Sequence, residues 1–215
     1  MSNGWSTLAF DALALFGRAF LERAPPDVPG PEGRLLNLGC GSDVREGWVN
    51  ADFFRWQFWR VPRGYWMVDL RRPLPCADDF FDGVFCEHVL EHLAPAEARV
   101  LLGEIRRVLR PGALLRLSVP DLAKYVARYR GEASDPEFGQ WPDGASALHS
   151  LTQGFGHRSI WDAAALEQAL RAAGLTDVRR TGFREGSDSR LLGDQDVRRW
   201  ESAYLEARKP SGGPR

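Results

Sequence analysis

The chain has 215 residues, 44% of them hydrophobic and 27% charged, with a formal net charge of −1. That suits one globular domain with a core of its own. It excludes the global basic field that draws proteins to nucleic acid, so no nucleic-acid partner is expected. Lysine occurs only at Lys124 and Lys209, and arginine carries the rest of the positive charge. This reads as the bias of a GC-rich coding sequence. Cys40, Cys76 and Cys86 lack metal-type spacing and sit in or beside apolar runs. They read as small buried hydrophobes in a reducing compartment. No basic segment precedes the N-terminal apolar stretch, which Asp11 interrupts, so no signal peptide is expected. No run approaches the ~18 apolar residues of a membrane span. A cytoplasmic location is expected.

In chain order, Trp5, Leu8, Ala9, Ala12, Leu13, Phe16 and Phe20 recur at helical spacing and predict an N-terminal helix laid on the body. Residues 24–33 are rich in Pro and Gly and read as a linker. Short apolar runs at 34–38, 48–52, 65–69 and 82–86 predict four strands. Pro95 opens a helix whose Leu101, Ile105 and Val108 share a face, and Pro111-Gly112 is its expected stop. Residues 113–119 predict a fifth strand. Residues 121–130 read as a short helix, followed by a polar loop to about Gly156. Ser159-Ile160-Trp161-Asp162 has the pattern of a capping box, before a helix that Gly174 ends. Two last strands are expected at 177–181 and 202–207, then a disordered tail over 210–215. Strands alternating with helices make a mostly parallel α/β sheet, and the final pair allows an antiparallel edge strand. The pattern divides the chain into a helix and linker over 1–33 and one domain over 34–209.

The positions that carry chemistry lie at strand ends. The first strand runs into Gly39-Cys40-Gly41, and the next two close on Asp52 and Asp69. In an open α/β sheet ligands sit at the carboxyl ends of the strands, so these three ends should meet. Glycines let a backbone approach a ligand closely. Two carboxylates can accept hydrogen bonds from a ribose diol and an exocyclic amine. A nucleoside-containing cofactor is therefore expected. Gly39-x-Gly41-x-x-Val44 departs from the dinucleotide pattern, which wants Gly or Ala in third place beneath a pyrophosphate. Only nine residues, Gly39 to Gly47, lie between the first two strands. A parallel crossover usually takes about a dozen or more. No Gly-Lys-Ser/Thr follows the glycines, which excludes a P-loop. A cofactor without phosphates is favoured over NAD or ATP.

Five blocks, in order, carry a family resemblance. They are Leu-Asn-Leu-Gly-Cys-Gly-Ser (36–42), Gly-Trp-Val-Asn-Ala-Asp (47–52), Asp-Leu-Arg-Arg-Pro-Leu-Pro (69–75), Phe-Asp-Gly-Val-Phe-Cys-Glu-His-Val-Leu-Glu-His-Leu (81–93) and Arg-Val-Leu-Arg-Pro-Gly-Ala-Leu-Leu-Arg-Leu-Ser-Val-Pro (107–120). Over residues 34–208 the chain resembles class I S-adenosylmethionine-dependent methyltransferases, of the compact type with a short first crossover. The resemblance implies a Rossmann-like methyltransferase fold with a mostly parallel seven-stranded sheet, and S-adenosyl-L-methionine as cofactor. It implies that the Gly39-Cys40-Gly41 turn passes under the methionine part, with Asn37 beside it. Asp52 would accept from the ribose hydroxyls and Phe53 would flank the adenine. Asp69 would accept from the adenine amine, and the Leu70 amide would donate to the ring. Glu87 and His88 would lie near the sulfonium. The family often has an acidic residue where this chain has Asn37, which can accept through its carbonyl oxygen but brings no negative charge.

A sulfonium methyl is already activated, so the protein's task is mainly alignment. A base is needed only where the acceptor must lose a proton. His88 is the first candidate for a base or substrate-orienting group, and His157, in a glycine-rich loop, the second. The competing reading is that these histidines and Glu87 hydrogen-bond the loop and cap a helix. His88 and His92 are four apart and would share a helical face. That spacing can hold a metal, but no third ligand is apparent, so no metal is expected. Segment 53–66 mixes aromatics with three arginines and has no acid. It reads first as packing or an oligomer contact, then as a substrate wall. The acceptor region falls between Asp121 and Ser159, where Tyr125, Tyr129, Phe138, Trp141, His149, Phe155 and His157 suit a small molecule with apolar or ring character. The leading reading is methyl transfer to a small-molecule acceptor, such as a sugar or secondary metabolite. A non-catalytic sensor or partner subunit that binds the same cofactor is the alternative.

Overall fold

A computed structural model describes residues 23–28, 30, 33–53 and 63–212. The expected N-terminal helix, most of the aromatic segment 53–66 and the last three residues lie outside the described residues.

Seven strands form one sheet in the order β3-β2-β1-β4-β5-β7-β6. They are β1 (Leu35–Leu38), β2 (Val49–Asp52), β3 (Tyr65–Met67), β4 (Phe81–Glu87), β5 (Leu109–Pro120), β6 (Thr176–Thr181) and β7 (Ser202–Arg208). The first five run parallel to one another. The antiparallel strand is β7, which sits one place in from the edge and pairs with both β5 and β6. All four residues of β1 are buried, as are six of seven in β4. Strands covered on both faces read as continuous apolar runs, which explains their legibility in the sequence.

The helix α1 (Pro95–Val108) begins at a proline and ends directly in β5. Its Glu97 carboxylate accepts from the Ala94 amide at 2.8 Å. Ala98, Leu101, Leu102, Ile105 and Val108 form the stripe it buries on the sheet. Pro111-Gly112 does not stop this helix. It lies inside the long strand β5, where Gly112 takes a φ of 79°. The short helix α2 (Leu122–Tyr129) follows, capped by Asp121.

The stretch read as a polar loop to Gly156 contains a second helix, α3 (Gly144–Gln153), capped by Asp143 onto the Ser146 amide at 2.7 Å. Gly144 allows it to press on α2, since a Cβ there would stand 2.3 Å from the Tyr129 Cα. Tyr125, Phe138, Ala147 and Leu151 form a small core between these elements, apart from the main one. The next helix, α4 (Ala163–Ala172), is capped by Asp162 itself, onto the Ala165 amide at 2.7 Å. Ser159 is not its cap. The Ser159 hydroxyl is buried and donates to the Leu90 carbonyl at 3.0 Å. Gly174, at a φ of 80°, follows the helix as expected. Cys40 and Cys86 are buried, and Cys76 is partly buried. Among the described residues no helix is long and apolar enough to cross a membrane.

Candidate functional site

The strand order reverses between β1 and β4, and the carboxyl ends there open onto a cleft of about 910 Å³. Such a switch point is where open α/β sheets bind ligands. The crossover from β1 to β2 holds no helix. Asn50 knits it instead. Its amide nitrogen donates to the Arg45 and Trp48 carbonyls, and its oxygen accepts from the Arg45 amide at 2.8 Å. Asn37 belongs to the same network. It is buried and donates to the Asp43 carbonyl at 2.6 Å and to Asn50 Oδ1 at 3.2 Å. Thus Asn37 shapes the turn from beneath and does not line the cleft.

The glycine turn forms the cleft floor. Gly39 has a φ of 69°, and a Cβ there would meet Val89 Cγ2 at 2.3 Å. Gly41 has a φ of 50°, and a Cβ there would meet nothing within 4 Å. One glycine answers to close packing, the other to a positive φ facing open space. The Gly39 and Cys40 amides both donate to the Ala51 carbonyl, tying the turn to β2. Asp52 Oδ2 accepts from the Gly41 amide at 2.7 Å, and Oδ1 from the Phe53 amide at 2.6 Å. Asp69 accepts from the Arg71 amide at 3.0 Å and from its guanidinium at 2.9 Å. Burial works to raise the Asp69 carboxyl, and the bonded Arg71 overrides this and holds it below its ordinary value.

The far wall comes from the end of β4. Glu87 Oε1 accepts from the Gln195 amide at 3.2 Å, while the buried Oε2 has no partner. Burial pushes its carboxyl up to about 7. His88 takes a φ of 53°, so it does not share a helical face with His92. The Ser202 hydroxyl lies 2.8 Å from the Arg198 carbonyl, which can only accept. The hydroxyl therefore donates there, and its oxygen, 2.6 Å from His88 Nε2, accepts from the ring. His88 Nδ1 faces Glu91 Oε1 at 3.3 Å. Both ring nitrogens are thus turned to the protein, and burial holds His88 well below its usual pKa.

Beyond this wall lies a second cavity of about 620 Å³. His88, His92, His157 and Arg198 border both spaces. His157 arrives from the segment after α3. The Arg158 and Ser159 amides donate to the Glu91 carbonyl at 2.7 and 3.1 Å, which clamps this segment onto the turn after β4. His157 Nδ1 sits 2.7 Å from the Leu151 carbonyl, so it carries the proton and Nε2 keeps its lone pair. The His92 and His157 rings meet edge to face at 5.0 Å. His92 is exposed, yet partial desolvation against the wall and the neighbouring His157 lower it to about 4.

The family model of a methyltransferase domain matches residues 10–180. The chain belongs to that family. It is a class I S-adenosylmethionine-dependent methyltransferase. No curated protein matches it. A methyltransferase from Mesorhizobium loti that depends on S-adenosylmethionine has 20% identity and a TM-score of 0.52, over 89% of this chain and 94% of that one. A chain from the complex of the Haloferax volcanii Trm112 methyltransferase activator with a methyltransferase has 17% identity and a TM-score of 0.53, over 97% and 95%. The cyclase SpnF has 20% identity and a TM-score of 0.51, over 97% and 83%. At these identities the likeness shows the fold, which hosts more than one chemistry.

The methyltransferase cleft fits its methyl donor on the residues present. A cradle open above Gly41, two carboxylates at the ends of β2 and β3, and the unpartnered Glu87 Oε2 suit an amino acid joined to a nucleoside. Gly39, Cys40, Gly41, Asp52, Phe53, Asp69, Leu70 and Glu87 all line it, together with His88 and His157. Gln195 and Arg198 also line the cleft, and the sequence did not single them out. Their only local signal is a polar stretch, Asp194 to Arg199, between two strands. Arg198 Nε is buried without a hydrogen-bond partner.

Proposed function

We propose that the methyltransferase transfers the methyl group to a small hydroxylated acceptor with ring or apolar character, of the sugar or secondary-metabolite class, held in the second cavity. The observation that carries this reading is the shared wall. His88, His92, His157 and Arg198 border both the cofactor cleft and that cavity, so a group bound in one reaches the other there. Leu151, Phe155 and Trp200 offer the cavity apolar surface, and Glu137, Gln140 and Glu201 offer acceptors for hydroxyl groups. The donor supplies an already activated methyl, so the residues mainly align two reactants. Asp52 and Asp69 hold the ribose and adenine, Phe53 flanks the base, and the Gly39–Gly41 turn takes the methionine part. His88, turned to Ser202 and Glu91, keeps the wall in place. His157, at the shared wall, helps to orient the acceptor. Polar groups for the acceptor come from the short 3-10 helix Pro136–Gln140 and the 196–201 segment, whereas the donor site is built at the ends of β1, β2, β3 and β4.

Two measurements test this. Titration calorimetry should detect S-adenosylmethionine and S-adenosylhomocysteine, and Asp69→Ala should weaken both by roughly 10- to 100-fold, as expected on losing a charged hydrogen-bond acceptor. Unchanged affinity removes the adenine role of Asp69. With labelled donor and a panel of sugars and hydroxylated ring compounds, Gln140→Trp should raise KM for any acceptor found while donor affinity stays the same. An unchanged KM would place the acceptor elsewhere.

A further inference from the structure

We propose that Glu91, His92 and His157 form a divalent-cation site at the boundary between the cofactor cleft and the second cavity, suited to zinc or a similar borderline ion. One donor atom from each residue lies within 4.8 Å of the other two. Donors around a tetrahedral zinc stand roughly 3.3 Å apart, given bonds of about 2.0–2.2 Å. Side-chain movements on the order of 1 Å therefore close the triangle. Two imidazoles and one carboxylate leave a fourth position open, which is the pattern of sites that bind a further ligand.

Glu91 points to the ion independently. Its side chain is 2% exposed, and neither carboxylate oxygen has a hydrogen-bond partner beyond the residue's own backbone. A buried carboxylate is normally paired, hydrogen-bonded or bound to a metal. His88 Nδ1 stands 3.3 Å from Glu91 Oε1, but the ring is neutral with its proton on Nε2, so it brings Glu91 no positive charge. Arg198 acts on Glu91 only through space. A cation held with His92 and His157 supplies the partner that the hydrogen-bond network lacks.

The imidazoles are set as ligands are usually set. A metal-bound histidine commonly donates its other ring N–H to a carbonyl or carboxylate, which fixes the tautomer. His157 does this through Nδ1 to the Leu151 carbonyl at 2.7 Å. The His92 ring meets His157 edge to face, 5.0 Å between centroids. The backbone clamp of residues 158 and 159 on the Glu91 carbonyl holds the two ligand-bearing segments together. The ligand set is Glu91 and His92 from one turn with His157 from across the fold. It is not the His88–His92 pair that sequence spacing suggests.

The position also narrows the acceptor. His92 and His157 line both spaces, so the open position would take water or an oxygen atom of the acceptor. That favours acceptors with a hydroxyl or carboxylate beside the reacting atom. This step rests on the reading of the second cavity as the acceptor site, whereas the cation site itself does not.

The test uses the full chain stripped with a chelator, without donor or acceptor. Calorimetry with zinc chloride should show one ion per chain, and cobalt(II) should give the visible absorption of a four-coordinate site. Glu91→Gln, His92→Gln and His157→Gln should each weaken binding by about 100-fold or more. His149→Ala, at an exposed histidine outside the cluster, should bind as the parent does. Circular dichroism identifies any variant that fails to fold, and the remaining two then decide. Absence of stoichiometric binding, or binding that survives the substitutions, overturns the site and leaves Glu91 as a buried neutral acid. Donor affinity measured on the same stripped sample stands or falls separately.

Discussion

Two buried clusters of charged side chains flank β4 and β7, and they are built in opposite ways. In the first, Arg116 is fully buried and every arm of its guanidinium is used. It donates to Asp194 through two nitrogens, to Thr181 Oγ1 at 3.2 Å, and to the Glu185 and Gly182 carbonyls at 2.8 and 2.9 Å. Asp194 and Glu206 are buried beside it, and the Arg184 and Ser187 amides donate to them. In the second cluster, Glu87 has one oxygen without a partner and Glu91 has two. The closed network ties the loop after β6 to the sheet. The open one lines the two cavities. Satisfied burial marks a structural device, and unsatisfied burial marks a place prepared for something else.

The largest expected effect comes from breaking the closed network. Arg116→Met leaves Asp194 as a buried charge without its cation, while Glu206 keeps Arg179 at 2.6 Å, so it should cost about 3–5 kcal/mol in denaturant unfolding. A loss below about 1 kcal/mol would erase the contrast between the clusters. The open network should respond with the opposite sign. In chelator-treated protein at pH 8, Glu91→Gln should gain on the order of 2 kcal/mol, because the substitution removes a buried carboxyl whose ionisation is disfavoured. A comparable loss would mean that Glu91 has a partner after all. A smaller effect is expected at Ser202→Ala, which removes the acceptor for His88 Nε2 and should cost about 1 kcal/mol.

The pH profile sharpens the same contrast. Glu87 is raised to about 7 and Glu91 to about 8, so the folded state holds protons that the unfolded state has released. Their contribution is present below the unfolded carboxyl range and is lost as pH rises toward 7–8. His92, lowered to about 4, acts the other way, with stability gained as pH rises through 4 to the ordinary histidine range near 6.5. His88 shifts in the same direction. The opposing terms meet below pH 6.5, and above it only the carboxyls remain. Metal-free protein should therefore lose stability between pH 6.5 and 8, as read by denaturant midpoints. Glu91→Gln should flatten that slope, and an unchanged slope would take Glu91 out of the account.

Much of this protein was legible from residue order alone. The buried parallel strands β1, β2, β4 and β5 are short apolar runs, and a run needs no partner to be recognised. The glycine turn, the carboxylates that close β2 and β3, and the short crossover are local, so the nucleoside pocket and the absence of a phosphate-cradling helix could be read directly. Helix α3 escaped because only Ala147 and Leu151 are buried on it, too thin a stripe to signal a helix in Gly144–Gln153. Asn37 looked like a ligand group because it abuts the turn, and Asn50 instead draws it into the network below.

The tertiary structure alone decided how the histidines are used. Spacing paired His88 with His92, but a left-handed backbone at His88 turns its ring to Ser202, from the other end of the domain. His92 meets His157 because the backbone of residues 158 and 159 docks on the Glu91 carbonyl. The partner, tautomer and burial of a titratable side chain depend on groups distant in the chain. Local pattern therefore located the cleft at the strand ends, while only the fold could assemble the wall between that cleft and the second cavity.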